Sequence, residues 1–171
     1  MTPSRLFVAV WPPDEVLDAI EALPRPSVPG VRWVGRSRWH VTVRFLGEAE
    51  PEEAEAALGR VDAAPALAEV GPEVVRLGRS VVCVPVGGLD AVASAVVDAT
   101  AHVGRPPEQR PFRGHLTIGR LRRRRASALE GHPIGGSFPV AEVALVESVL
   151  GGDGPTYRTL AVHPLSAAPP P

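Results

Sequence analysis

Two short stretches of this chain share one pattern: His40-Val-Thr-Val43 and His115-Leu-Thr-Ile118. Polar and apolar residues alternate in both, as they do along a strand that buries one face. Val41, Val43, Leu116 and Ile118 are therefore expected in a core, with His40, Thr42, His115 and Thr117 on the opposite side. A chain built around two such strands must form sheets, and its His–Thr faces must meet solvent or a cleft. The matching residue types also point to a weak internal duplication, with one motif per lobe.

The rest of the pattern mixes strands and helices without strict alternation. Arg5–Val10 reads as a buried strand. Pro12 and Pro13 open a helix with Asp14 and Glu15 in its first turn, and Pro24 ends it. Val31–Val34 is a short strand and His40–Leu46 a clear one. Pro51 to about Ala64 reads as an acidic, alanine-rich helix. Val74–Leu77 and Val81–Val86 are strands around Gly78, and Leu89 to about His102 is helical. Phe112–Leu121 and Val140–Leu150 are strands, and Gly151-Gly-Asp-Gly154 is a turn before a last strand, Thr156–Val162. The expectation is an α+β domain with largely antiparallel sheets over residues 1–165, and a disordered Ser166–Pro171 tail.

Composition sets the limits. A length of 171 residues suits one domain, or one domain with two lobes. Apolar residues make up 44% of the chain but aromatic ones only 5%, so Val, Leu and Ala must fill the core. No apolar run approaches the ~20 residues that span a bilayer. The start of the chain lacks a signal-peptide pattern. A soluble, cytoplasmic monomer is expected. The single cysteine, Cys83, excludes an internal disulfide and a thiolate metal cluster; between Val82 and Val84 it reads as a packed, inert thiol.

The net charge of −1 is uninformative, but its distribution is not. All eighteen basic residues are arginine. Five (25, 32, 36, 38, 44) lie between Ala22 and Gly47, and seven (110, 113, 120, 122, 123, 124, 125) between Gln109 and Leu129, with no acid in either block. Such blocks in a neutral chain point to a local anion site, and arginine's planar fork suits phosphate oxygens. A GC-rich genome accounts for the missing lysine but poorly for the clustering.

Two histidines, two hydroxyls and nearby arginines suit the opening of a cyclic phosphodiester. One imidazole takes a proton from water and the other protonates the departing alkoxide; histidine does either near its unperturbed pKa of about 6.5. Threonine hydroxyls can hold the non-bridging oxygens, and an arginine can offset charge in the transition state. No metal is needed. The pattern alone leaves two other readings open: ordinary half-exposed strand histidines, or metal ligands. The latter lacks a His-x-His pair or a carboxylate at ligand spacing. His102, His132 and His163 stand alone and read as surface or loop residues.

Four segments together resemble the RNA 2′,3′-cyclic phosphodiesterases of the 2H phosphoesterases, also called 2′-5′ RNA ligases. They are Arg5-Leu-Phe-Val-Ala-Val10, His40-Val-Thr-Val-Arg-Phe-Leu-Gly47, Phe112-Arg-Gly-His-Leu-Thr-Ile-Gly-Arg120 and Gly154-Pro-Thr-Tyr157. The resemblance runs from the first strand to about Leu165. It implies a bilobal fold, with two pseudo-symmetric, curved antiparallel sheets flanked by helices around a central cleft. It implies hydrolysis of RNA ends or nucleotides carrying a 2′,3′-cyclic phosphate to 2′-phosphomonoesters, without a cofactor. In that scheme His40 is the acid for the leaving 3′ oxygen and His115 the base for water. Thr42 and Thr117 hold the phosphate, and Arg120 faces it. Because Arg120 lies three residues beyond Thr117, a twist or bulge is needed to bring it to the same face. Gly114 departs from the proline common before the second histidine, which would loosen the start of that strand. Trp33, Phe45 and Tyr157 are candidates to stack on a base, with core packing the alternative, favoured for Phe45. Arg122–Arg125 could guide an RNA backbone or be a solvated loop. A non-catalytic nucleotide or RNA-end binding module, and RNA ligation by the reverse reaction, remain competing functions.

Overall fold

The computed structural model describes residues 2–122 and 129–166. Most of the Arg122–Arg125 run and of the C-terminal tail thus lies outside the described residues. The first strand, β1 (Ser4–Val10), is buried on both sides. Leu6, Val8 and Val10 enter the main core, while Phe7 and Ala9 join Ala144 and Val146 in a small second cluster on the other face. Helix α1 (Asp14–Glu21) starts after Pro13 with its acids in the first turn, where the helix dipole favours them. It buries Val16 and Ile20, one turn apart. After β2 (Val31–Trp33) a 3-10 turn (Arg36–Arg38) leads into β3 (Val41–Ala49).

Helix α2 (Pro51–Leu58) has proline in its first turn and buries Ala54, Ala57 and Leu58. It stops at Gly59, short of the expected Ala64, because Gly59 and Arg60 turn the chain toward β4 (Ala66–Val70), a strand the sequence pattern did not suggest. β5 (Val75–Leu77), β6 (Val81–Gly87), α3 (Asp90–Thr100) and β7 (His115–Leu121) follow. β7 begins at His115, not at Phe112. The expected Val140–Leu150 strand is in fact two, β8 (Gly136–Val140) and β9 (Glu142–Gly151), parted at Ala141; β10 (Gly154–Pro164) closes the chain.

Every strand pairing among the described residues is antiparallel. The order is β10-β9-β1-β3-β7-β6-β4-β8, with β2 also on β7 and β5 on β6. The fold is α+β, and its sheet is curled into two halves. One half is β10-β9-β1-β3; the other is β7-β6-β4-β8 with β2 and β5. They meet through one pair in register, Val41 opposite Leu116. Both side chains are fully buried, in a core shared by residues of the two halves and of all three helices. The cleft-facing motifs are thus anchored from behind by continuous apolar packing.

Candidate active site

Val41 and Leu116 fix where the two motifs meet. Continuing their antiparallel register one residue each way sets His40 level with Thr117, and Thr42 level with His115. Side chains alternate across a strand, so these four polar residues face away from the buried Val41 and Leu116. All four are half-buried. The motifs are related by an approximate twofold about the Val41–Leu116 pair, and each histidine sits beside the other motif's threonine.

The symmetry extends to the hydrogen bonds. His40 Nδ1 lies 2.8 Å from the Arg38 carbonyl, and His115 Nδ1 lies 2.8 Å from the Arg113 carbonyl. A carbonyl only accepts, so each Nδ1 carries a hydrogen and donates it. Each Nε2 is then left for chemistry, with its ring orientation fixed by the backbone two residues upstream. The Thr42 hydroxyl donates to His40 Nε2 over 3.0 Å.

The surroundings of the two rings differ. His40 stands among three aromatic rings: Phe7 at 4.8 Å, Tyr157 edge-on at 5.0 Å and Trp11 at 5.6 Å between centroids. Tyr157 in turn packs edge-on against Phe7, and Trp11 donates from Nε1 to Thr159 Oγ1. Burial therefore lowers the His40 pKa from its ordinary value; the bond to the Arg38 carbonyl opposes this, and the charge of nearby His115 adds to it. His115 has no aromatic ring against it among the described residues.

A β-bulge settles the geometry of Arg120. Cys83 pairs with Thr117, but the next residue back on β6, Val82, pairs with Gly119, so Ile118 is an extra residue on β7. The step returns Arg120, opposite Val81, to the face that carries Thr117 and His115. The bulge thus does what the three-residue spacing required. Gly119 is needed here because the Trp33 ring lies 2.8 Å from where a Cβ would stand. Trp33 also donates to the Pro26 carbonyl at 2.9 Å, so its indole packs on β7. Phe45 lies beneath the Arg5 and Arg105 guanidiniums, at the margin of the second cluster. Of the three base-stacking candidates, Tyr157 is the one in ring contact with a motif histidine.

Gly114 has a tighter role than expected. A Cβ there would lie 2.3 Å from the Val86 carbonyl oxygen, and Val86 N–H donates to the Gly114 carbonyl at 2.9 Å. The glycine lets β6 close onto the lead-in to His115, an approach that a side chain would block.

The two arginine blocks separate by partner. Arg36 binds Asp14, Asp18 and Glu21 of α1. Arg44 is buried, with its guanidinium on the Phe45 and Arg105 carbonyls. Arg25 lies over Trp39, and Arg110 pairs with Glu108. Arg32 lies opposite Arg120 in the β2–β7 register. The other histidines have partners outside the two motifs: His102 bonds Arg60, His132 the Pro133 carbonyl and His163 the Val61 carbonyl. Cys83 is buried, and desolvation pushes its thiol up to about 11, so it stays protonated and unreactive. No group of three His, Cys, Asp or Glu among the described residues is arranged to hold a metal ion. No described helix is long and apolar enough to cross a membrane. The sequence pattern missed Phe7 and Trp11. Phe7 occupies an odd-numbered position of β1, on the face of the second cluster, and that parity was the available signal.

The chain is similar in sequence to known phosphodiesterases and in fold to LigT. The LigT like phosphoesterase family profile matches residues 10–71. An RNA 2′,3′-cyclic phosphodiesterase of Aeropyrum pernix is 30% identical over 82% of this chain and 89% of its own length. One from Archaeoglobus fulgidus is 28% identical over 92% of this chain and 98% of its own. Among solved structures, the Thermus thermophilus protein TT0787 superposes with a TM-score of 0.78 at 26% identity, covering 95% of this chain and 98% of its own. E. coli LigT bound to 3′-AMP gives 0.76 at 26% identity, with 95% and 98% covered.

Proposed function

This chain belongs to the RNA 2′,3′-cyclic phosphodiesterase family and is a phosphodiesterase, and from that premise we propose that His40 and His115 open a terminal cyclic phosphate together, without a metal. The observation that carries the reading is the Val41–Leu116 pair, which sets two His–Thr pairs on one face in twofold relation. The substrate's phosphorus sits between the two Nε2 atoms. His115 takes a proton from water as its oxygen bonds to phosphorus. The bond from phosphorus to the 3′ oxygen breaks, and His40 gives that oxygen a proton. The product is a 2′-phosphomonoester with a free 3′ hydroxyl. Thr42 and Thr117 donate to the non-bridging oxygens, and Arg120 offsets their growing charge. Thr42 must first turn from His40 Nε2 to the phosphate.

The experiment is to incubate the protein, with and without EDTA, with an RNA ending in 2′,3′-cyclic phosphate and to identify the product. Turnover to the 2′-phosphate, unaffected by EDTA, is expected; a 3′-phosphate product, or EDTA inhibition reversed by a divalent ion, would overturn the scheme. Each of His40→Ala and His115→Ala should cost about 10²–10⁴-fold in kcat.

One observation favours exchanged roles. Burial lowers the His40 pKa and so favours the neutral ring, which suits a base. A cyclic ester with sulfur in place of the 3′ bridging oxygen separates the two assignments, because a thiolate leaves without an acid. If His40 is the acid, the His40→Ala defect shrinks on that substrate and the His115→Ala defect does not. The reverse pattern assigns His40 as the base.

A further inference from the structure

Two arginines of the first basic block have no role in the scheme above. Arg32 Nη2 and Arg38 Nη1 converge on Gly154, at the start of β10; a Cβ there would lie 3.1 Å from the first and 2.8 Å from the second. The two like charges therefore stand within about 6 Å of each other, where they repel. Neither forms an ion pair with a described carboxylate, whereas Arg36, between them in sequence, has three. Among the described residues, the one polar contact of either side chain is from Arg32 Nη2 to the Asp153 carbonyl, at 3.4 Å. Gly154, with φ of +104°, leaves an open notch where any side chain would fill the space between the guanidiniums. Arg32 also lies opposite Arg120, on the catalytic face of the sheet. The Arg38 carbonyl holds His40 Nδ1, so the pair stands next to the site's His40 side.

Two unpaired guanidiniums at this separation await an anion, and their forks match phosphate oxygens. We propose that Arg32 and Arg38, gathered over Gly154, form a subsite for the phosphodiester that precedes the cyclic phosphate in an RNA strand. The enzyme then selects oligonucleotide ends over mononucleoside 2′,3′-cyclic phosphates. The inference rests on the phosphodiesterase scheme above and specifies its substrate class.

Three substrates test it on the intact protein: adenosine 2′,3′-cyclic phosphate, the dinucleotide ApA ending in a cyclic phosphate, and that dinucleotide with an uncharged methylphosphonate as its internal linkage. The charged dinucleotide should exceed the other two in kcat/KM by about tenfold, the scale of one charged phosphate contact. In Arg32→Met the ratio of charged to methylphosphonate dinucleotide should fall toward one. Equal kcat/KM on the two dinucleotides with the unaltered protein would overturn the subsite, whatever the variant does. A ratio that survives in folded Arg32→Met would overturn the assignment to this pair. Absence of turnover on all three substrates would instead remove the phosphodiesterase scheme itself, and the subsite with it.

Discussion

The two His-x-Thr motifs are nearly alike in bonding and unlike in setting. Both histidines donate Nδ1–H to the carbonyl two residues upstream, at the same 2.8 Å. The residue just before each is where they part. Before His40 stands Trp39, buried to 1% exposure, with Nε1 donating to the Val34 carbonyl. Before His115 stands Gly114, where β6 presses so close that no side chain fits. One lead-in is held by a large ring filling the core, the other by the absence of a side chain. Beyond the motifs, the first histidine is walled by Phe7, Trp11 and Tyr157, whereas no described aromatic ring stands against the second. The lesson is that a duplicated strand pattern can give two groups the same tautomer and direction while their neighbours give the two rings different surroundings.

The sharpest way to break this comparison is to attack the two lead-ins separately. Trp39→Ala empties a filled core site and should cost about 3–5 kcal/mol in chemical denaturation. Gly114→Ala drives a methyl into the Val86 carbonyl and should cost about 1–3 kcal/mol. If Gly114→Ala proved neutral in both stability and turnover, close approach would not be what fixes His115. Less disruptive is Tyr157→Ala, which exposes one side of His40. The His40 ring should then titrate at higher pH, toward the ordinary value, as followed by NMR of its ring protons. An unmoved His40 titration would mean that the aromatic wall is not what holds its pKa down.

The smallest effect is on stability against pH. The folded protein holds the His40 pKa below its unfolded value of about 6.5. Above that value both states are neutral at this site and the stability is fully present. As pH falls, the unfolded chain gains the proton first, so stability declines down through the folded-state pKa. Comparing unfolding midpoints of the protein and His40→Gln across this range should show a shallower decline in the variant. Parallel curves would contradict the shift.

Much of the core was legible because burial follows sequence periodicity. Val41 and Val43, like Leu116 and Ile118, could be assigned to it from alternation alone. β4 and β8 escaped that reading. β4 is a five-residue strand, Ala66 to Val70, in which the exposed Leu67 blurs the alternation and only Ala68 and Val70 mark its inner face. β8 carries Pro139 and starts at Gly136, which argues against a strand except at an edge; it lies at the end of the sheet, paired to β4 alone. The run Val140 to Leu150 looked continuous because Val140, the last residue of β8, is closely followed by the apolar Val143–Val146 of β9. Ala141 nevertheless divides it, with β8 at one end of the sheet and β9 next to β10 near the other.

The candidate residues were likewise readable, since His40, Thr42, His115 and Thr117 repeat a pattern whose parity fixes their shared side of each strand. Sequence alone determined which side chains leave the core, because strand alternation is a local property of the backbone. It also identified arginine as the group available for phosphate. Only the tertiary structure decided that Val41 pairs with Leu116, that a bulge at Ile118 returns Arg120 to the face carrying Thr117 and His115, and which arginines lack a carboxylate partner among the described residues. Those outcomes depend on register, extra residues in a ladder and partners far apart in the chain, none of which a local pattern encodes.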